Sequence, residues 1–319
     1  MARRGKENRK TVLIALAANV TIALVKGFAG LVGGSSALLA EAAHSVADTG
    51  NQSLILVSLS RAERPPDEAH PFGYGKERFF WVLLAAIVIF LSGGVFSILE
   101  GLYRIFRGHG ESGGWLWSYG ALAFAGIAEG TSLVRAVRQT RRGAREAGLG
   151  FVEFVRVSKE PSVKTVVSED SAAVTGVVIA FLGVALHELT GNAVYDGAAA
   201  VAIGVLLCFV GYALGRDTKG LLLGEPARPE ERRRLRETIL AHDEVEDVLE
   251  LLTMYVGPAA LLVAVKLDFR DDVPAGEVER LSSLLEDELH DAVPDVTEVF
   301  LDATPPRSRT RRARASGRR

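Results

Sequence analysis

The 319-residue chain has a single cysteine, Cys208, and it lies inside an apolar run. One thiol builds neither a disulfide framework nor a thiolate metal site. Its natural reading is a small hydrophobe of a membrane helix. Lysine and arginine are missing from three short connections, 33–34, 108–114 and 190–192. No internal repeat stands out, which counts against inverted-repeat transporter folds. Excess charge of either sign is missing too, since the formal net is −2. The charges are nevertheless segregated: apolar blocks come first, and a charge-rich block follows from about Arg216.

What is present is apolar length. At 48% hydrophobic residues and with a positive mean hydropathy, the chain fits a polytopic membrane protein better than a soluble domain. Six spans can be drawn, at 11–32, 36–59, 79–106, 115–137, 162–189 and 193–214. Each meets the ~20 residues needed to cross a ~30 Å hydrocarbon core. The basic start before the first span could mimic a signal peptide, but that span is too long for an h-region and others follow. Phe79, Phe80, Trp81, Trp115 and Trp117 open the third and fourth spans, where aromatic belts are expected.

The basic loops fix the orientation. Arg61, Arg64, Lys76 and Arg78 flank one loop; Arg138, Arg141, Arg142, Arg145, Arg156 and Lys159 lie in another; Arg216 and Lys219 end the sixth span. With the intervening loops free of basic residues, the positive-inside rule puts both termini in the cytoplasm. The basic loop between spans four and five is then a topology signal, and no nucleic-acid role is expected.

Within the second span stands Glu41-Ala-Ala-His44-Ser-Val-Ala-Asp48-Thr-Gly-Asn51-Gln52. His44 and Asp48 are one helical turn apart and share a face, with Glu41 and Asn51 a turn to either side. An acid at mid-span costs about 2.5–3.5 kcal/mol even on the lenient insertion scale. A stripe of imidazole, carboxylates and amide inside a bilayer needs something to interact with, and a divalent cation is the economical candidate. The bland alternative is an interhelical hydrogen bond that holds the bundle together.

The fifth span opens with Pro161, preorganised for a first helical turn, and then carries Ser168-Glu-Asp-Ser171. Adjacent helical residues point about 100° apart, so Glu169 and Asp170 cannot both aim at one spot. Glu100, Glu129 and Asp196 complete the intramembrane acids and read as packing or proton-path residues. His109 and His187, near outer loops, read as surface residues.

From about residue 224 the pattern becomes an amphipathic helix at 230–241, strands at 245–256 and 260–269 joined by Gly257-Pro258, a second helix at 275–292 and a strand at 296–301. The expected organisation is a basic cytoplasmic N-terminus (1–10), a six-helix membrane domain (11–223), a cytoplasmic αββαβ, ferredoxin-like α+β domain (224–303) and a basic disordered tail (304–319).

Six spans, the His44/Asp48 pair, the acidic motif of span five, the loop His70-Pro-Phe-Gly-Tyr-Gly-Lys-Glu77 and the αββαβ domain together resemble the cation diffusion facilitator family over residues 10–302. The resemblance implies a homodimer that exports zinc or a related divalent ion in exchange for protons. It implies a transport site of His44, Asp48 and Asp170. Where the family usually has a histidine four residues before that aspartate, this chain has Val166, and Glu169 is the natural substitute ligand. The stretch Lys164-Thr-Val-Val-Ser-Glu-Asp-Ser-Ala-Ala173 resembles a branch of the family with Glu-Asp at this place. The loop keeps Asp67 and His70 but has Tyr74 at the second histidine position, so the additional metal site that the resemblance implies there is incomplete. The C-terminal domain has only His242 and His290, so no dinuclear zinc site is expected in it.

The expected protein is therefore a multi-pass inner or plasma membrane antiporter of Zn²⁺ against protons. The ion is its substrate, it needs no cofactor, and its partners are protons, the lipid bilayer and a second copy of itself. Mn²⁺, Fe²⁺ or Co²⁺ as cargo is the alternative, since three acids suit them. A sensor or scaffold with a degenerate site is a further one. An intramembrane metalloenzyme has less support, because no general base or substrate cleft is legible.

Overall fold

The computed structural model describes residues 2–107, 115–157 and 161–304; among these, side chains are described except at 2–15, 18, 59, 115, 156–157 and 161–166. The expectations for the tail, for His109 and for the side chains of the basic N-terminus and Val166 lie outside the described residues.

The chain forms two compact units: one from the segment up to Glu63 together with Glu77–Lys219, the other from Arg64–Lys76 together with the chain from Gly220 on. In the first unit α1 (Ala2–Gly33) turns directly into α2 (Ser36–Ala62). Gly34 makes the turn at φ +62°, a conformation open to glycine, and Ser35 caps α2 by accepting a hydrogen bond from the Leu38 amide at 3.2 Å. A 31-residue helix follows, Glu77–Arg107. Its ends α3 (Glu77–Val88) and α4 (Phe96–Arg107) are regular, and Ile89–Val95 between them is π-helical. Then come α5 (Trp115–Glu146), the short α6 (Phe151–Val157), α7 (Pro161–Thr190) and α8 (Val194–Leu223).

Four helical stretches are long and apolar enough to cross a membrane among the described residues: Glu77–Arg107, Leu116–Glu146, Val167–Thr190 and Val194–Leu223. Asn19–Gly33 of α1 forms a shorter apolar stretch. The 27-residue α2 is diluted by Glu41, His44, Asp48, Asn51 and Gln52. The burial pattern of this unit is inverted. Leu24, Phe28, Leu31, Phe106, Ile127 and Phe209 are exposed, whereas Lys26, Glu41, His44 and Asn51 are buried. An apolar exterior around a polar interior is what lipid as solvent demands.

Glycine lets two helices touch along their backbones. A Cβ on Gly94 would meet Cys208 Sγ at 2.5 Å, and one on Gly101 would meet the Gly197 carbonyl at 2.5 Å. Gly204, seven residues on from Gly197, faces the Gly94 carbonyl in return. Small residues at such a seam replace hydrophobic drive with close contact. Cys208 sits here as a packing group.

The second unit holds α9 (Pro229–Leu240), β1 (Val245–Gly257), β2 (Ala260–Phe269), α10 (Ala275–Ala292) and β3 (Val296–Ala303). The sheet order is β1-β2-β3, antiparallel between the first two and parallel between the last two. Leu281, Leu285 and Leu289 line one face of α10 at four-residue steps and are buried with Leu235 and Ile239 of α9 against Leu261, Val263 and Leu267 of β2. The 64–76 segment packs into this unit. Phe72 meets Phe300 edge-on at 6.2 Å, Lys76 Nζ lies 3.7 Å from Met254 Sδ, and a Cβ on Gly75 would come within 2.6 Å of the Val256 carbonyl oxygen.

Candidate cation site between α2, α5 and α7

The polar stripe of α2 faces inward. His44 is 1% exposed, and neither ring nitrogen has a hydrogen-bond partner; Nε2 lies 3.5 Å from Asp48 Oδ2. Asp48 Oδ1 is also buried without a partner. On α7, Glu169 and Asp170 diverge as neighbours on a helix must. Glu169 accepts from the Asn51 amide of α2 through both oxygens, at 2.6 and 2.7 Å. Asp170 Oδ2 accepts from Ser132 Oγ of α5 at 3.0 Å.

Between these helices lies a cavity of ≈ 60 Å³, lined among others by Asp48, Gln52, Glu129, Ser132, Glu169 and Asp170. That is well above the roughly 10–15 Å³ that one water needs, so the space admits water or a partly dehydrated ion. The structure thus brings Asp48, Glu169 and Asp170 to one cavity, while His44 sits one turn away behind Asp48. Among the described residues, no three His, Cys, Asp or Glu side chains converge as a ready metal cage. The carboxylates are held apart, Glu169 by an amide and Asp170 by a hydroxyl.

The charge balance is uneven. Five carboxylates, of Glu41, Asp48, Glu129, Glu169 and Asp170, occupy this region of the unit, and Lys26 of α1 is the buried ammonium among them. Lys26 Nζ lies 2.7 Å from Glu41 Oε2, 2.5 Å from Glu129 Oε1 and 3.1 Å from Ser45 Oγ. Glu41 is wedged against α7 at Gly176, where a Cβ would overlap its Oε1. Lys26 thus shares one positive charge between two acids, and among the described residues no buried cation pairs with Asp48, Glu169 or Asp170. Sequence reasoning passed over Lys26. Its signal was there: a lone ammonium inside an apolar run long enough to span.

Other acids have structural work. Asp196, 1% exposed, binds the α1–α2 turn: its carboxylate accepts from Ser35 Oγ at 2.5 Å and from the Ser36 amide at 2.6 Å, with Arg104 Nε 3.8 Å away. Glu100 accepts from Ser36 Oγ at 3.0 Å. An acid at the start of α2 also offsets its dipole. His187 is buried at 8% exposure rather than on the surface, because α7 packs that face inward. In the 64–76 segment Asp67 accepts from the amides of Ala69 and His70 and from the Tyr74 hydroxyl at 2.6 Å, and so serves as a turn anchor. In the C-terminal unit His242 Nε2 pairs with Glu288 at 2.7 Å, and His290 Nδ1 donates to the Val296 carbonyl at 2.6 Å, so the two histidines serve different contacts.

Comparison with known proteins agrees with this inside-out architecture. Residues 12–223 match the cation efflux transmembrane domain family. The chain is 30% identical over 295 residues to the Proton-coupled zinc antiporter SLC30A9, mitochondrial, of Homo sapiens, covering 92% of this chain and 52% of that protein. It is 28% identical to Metal tolerance protein C4 of Arabidopsis thaliana, over 83% of this chain and 58% of that one. The chain thus spans about half the length of these relatives. It is 25% identical to the Manganese efflux system protein MneP of Bacillus subtilis (strain 168), over 95% of this chain and 97% of that one. The chain belongs to the cation efflux family, also called cation diffusion facilitators, whose members are membrane transporters.

Proposed function

We propose that this protein exports a divalent cation, Zn²⁺ in the first instance, in exchange for protons, and works as a homodimer in the cell membrane. The observation that carries the reading is the buried imidazole and carboxylate set with unpartnered atoms, His44 and Asp48, beside a cavity where Glu169 and Asp170 of α7 have no buried cation among the described residues. In hydrocarbon such groups are held neutral by protons or by a bound cation, and an uncompensated charge is costly.

Exchange follows from shared ligands. Metal binding needs deprotonated carboxylates and a neutral imidazole, so each arriving ion displaces protons and each returning proton displaces the ion. Asp48 receives the ion in the cavity. Asp170 leaves Ser132, and Glu169 or water fills the remaining place of a four-coordinate Zn²⁺. In the empty state Asn51 and Ser132 keep the two α7 carboxylates satisfied. The name of the human relative, a proton-coupled zinc antiporter, supports this reading.

The membrane domain has six crossings in this reading, α1 and α2 joining the four apolar stretches. Both termini and the C-terminal domain of 224–303 lie in the cytoplasm, where the basic loops belong. Mn²⁺ is the second reading, favoured by the oxygen donors that line the cavity, with the His44 imidazole a turn behind, and by the manganese relative. The test is a proteoliposome assay with an imposed proton gradient, in which Zn²⁺ and Mn²⁺ compete for uptake. Proton-coupled uptake of either supports the carrier, and binding without flux points to a sensor.

A further inference from the structure

The antiporter reading leaves one group unexplained. Glu129 of α5 lines the same cavity as Asp48 and Asp170, yet its Oε1 is tied to Lys26. Its other oxygen, Oε2, is shut off from solvent and has no hydrogen-bond partner. Lys26 is fully buried, and its three contacts with Glu41, Glu129 and Ser45 leave its ammonium no further donor. A carboxylate clamped through one oxygen and bare at the other is an oriented acceptor beside an ion-sized space.

Resting on the antiporter reading, we infer that Glu129 is a further binding residue for the transported divalent cation, and that Lys26 is the positioning residue that presents it. The physical grounds are these. The ammonium leaves two carboxylate oxygens bare, Glu41 Oε1 and Glu129 Oε2, and a bare buried acceptor is costly. Glu41 Oε1 is pressed on Gly176, whereas Glu129 lines the cavity, so an ion entering there removes the cost at Glu129. The ammonium also fixes the carboxylate plane, as outer partners fix metal ligands. Glu41, wedged on Gly176, and Ser45 hold Lys26 in turn, so the geometry is carried by α1, α2, α5 and α7 together.

The experiment is equilibrium dialysis of the purified full chain against Zn²⁺ and against Mn²⁺, with thermal melting run in parallel. Glu129→Gln and Glu129→Asp are each expected to weaken the Kd by about 10- to 100-fold, the range seen when groups supporting a metal site are lost. Lys26→Met is expected to weaken it similarly, Lys26→Arg to restore most of it, and Lys26→Met to add little in the Glu129→Gln background. A Kd within about twofold of native in a folded Glu129 variant overturns the inference, as does loss of fold in both variants, which would assign Glu129 to the framework. His44→Ala serves as the reference. If it abolishes binding while the Glu129 variants bind normally, the antiporter reading stands and this inference falls. If the native chain binds neither ion, both fall.

Discussion

Asn51 on α2 gives its side-chain amide to both carboxylate oxygens of Glu169 on α7, at 2.6 and 2.7 Å. The amide stands in for a cation and settles a buried acid when no ion is present. Asn51→Leu strands that acid, with an expected loss of about 1–3 kcal/mol in melting experiments. Replacing both residues by leucine removes donor and acceptor together. It should recover most of the stability while cation binding stays weak. Native-like binding in the double variant would remove Glu169 from the ligand set.

His44 makes no hydrogen bond among the described residues, so its removal costs packing volume and the 3.5 Å contact with Asp48. His44→Ala and Asp48→Ala are each expected to reduce cation flux in proteoliposomes to that of protein-free vesicles, while the chain still folds and the proposed dimer still forms on size-exclusion chromatography with light scattering. Normal uptake by either variant would refute their assignment.

Gly176 is a contact, not a hinge. Alanine there collides with Glu41, whose other oxygen Lys26 holds in place. Overpacking of this kind costs about 1–3 kcal/mol. Gly176→Ala should therefore lower the melting temperature and slow transport, and the melting penalty should largely vanish in a Glu41→Ala background.

Outside the membrane, the Asp67 carboxyl is held below the ordinary aspartate range, first by the Tyr74 hydroxyl and then by the His70 amide. A lowered folded value means that the turn is supported at neutral pH and loses that support as pH falls through the lowered value. Tyr74→Phe should move the Asp67 titration, followed by NMR, upward. His70 contributes its backbone to this turn, and its ring is half exposed. His70→Ala is expected to keep most transport activity, and complete loss would reveal an ion site in the loop.

Apolar periodicity marked many helix and strand limits closely. The second strand and the second amphipathic helix of the C-terminal unit, Ala260–Phe269 and Ala275–Ala292, fall where their leucine and valine spacing and the Gly257-Pro258 turn put them. The helix through Trp117 runs on to Glu146, nine residues past its apolar part, because an amphipathic helix continues in water without a hydrophobicity signal. The π-helical stretch Ile89–Val95 has no periodic signature either, since one extra residue in a turn leaves composition unchanged. Lys26 was readable as a buried cation, but its acids stand 15 and 103 positions away, and local pattern does not choose such partners. The divergence of Glu169 and Asp170 followed from helical geometry; their holders, Asn51 and Ser132, came only with the packing.

Gly75 and Gly257 press backbone to backbone, though 182 positions separate them. Any side chain that drift installed at one would have to be answered by movement at the other, so the two sites share a single evolutionary constraint. A recombinant fragment cut to begin at Gly220 would lack this mate. It would present a bare hairpin tip and an unshielded Phe300 ring to solvent, and its tendency to self-associate would report on the cut rather than on the native domain.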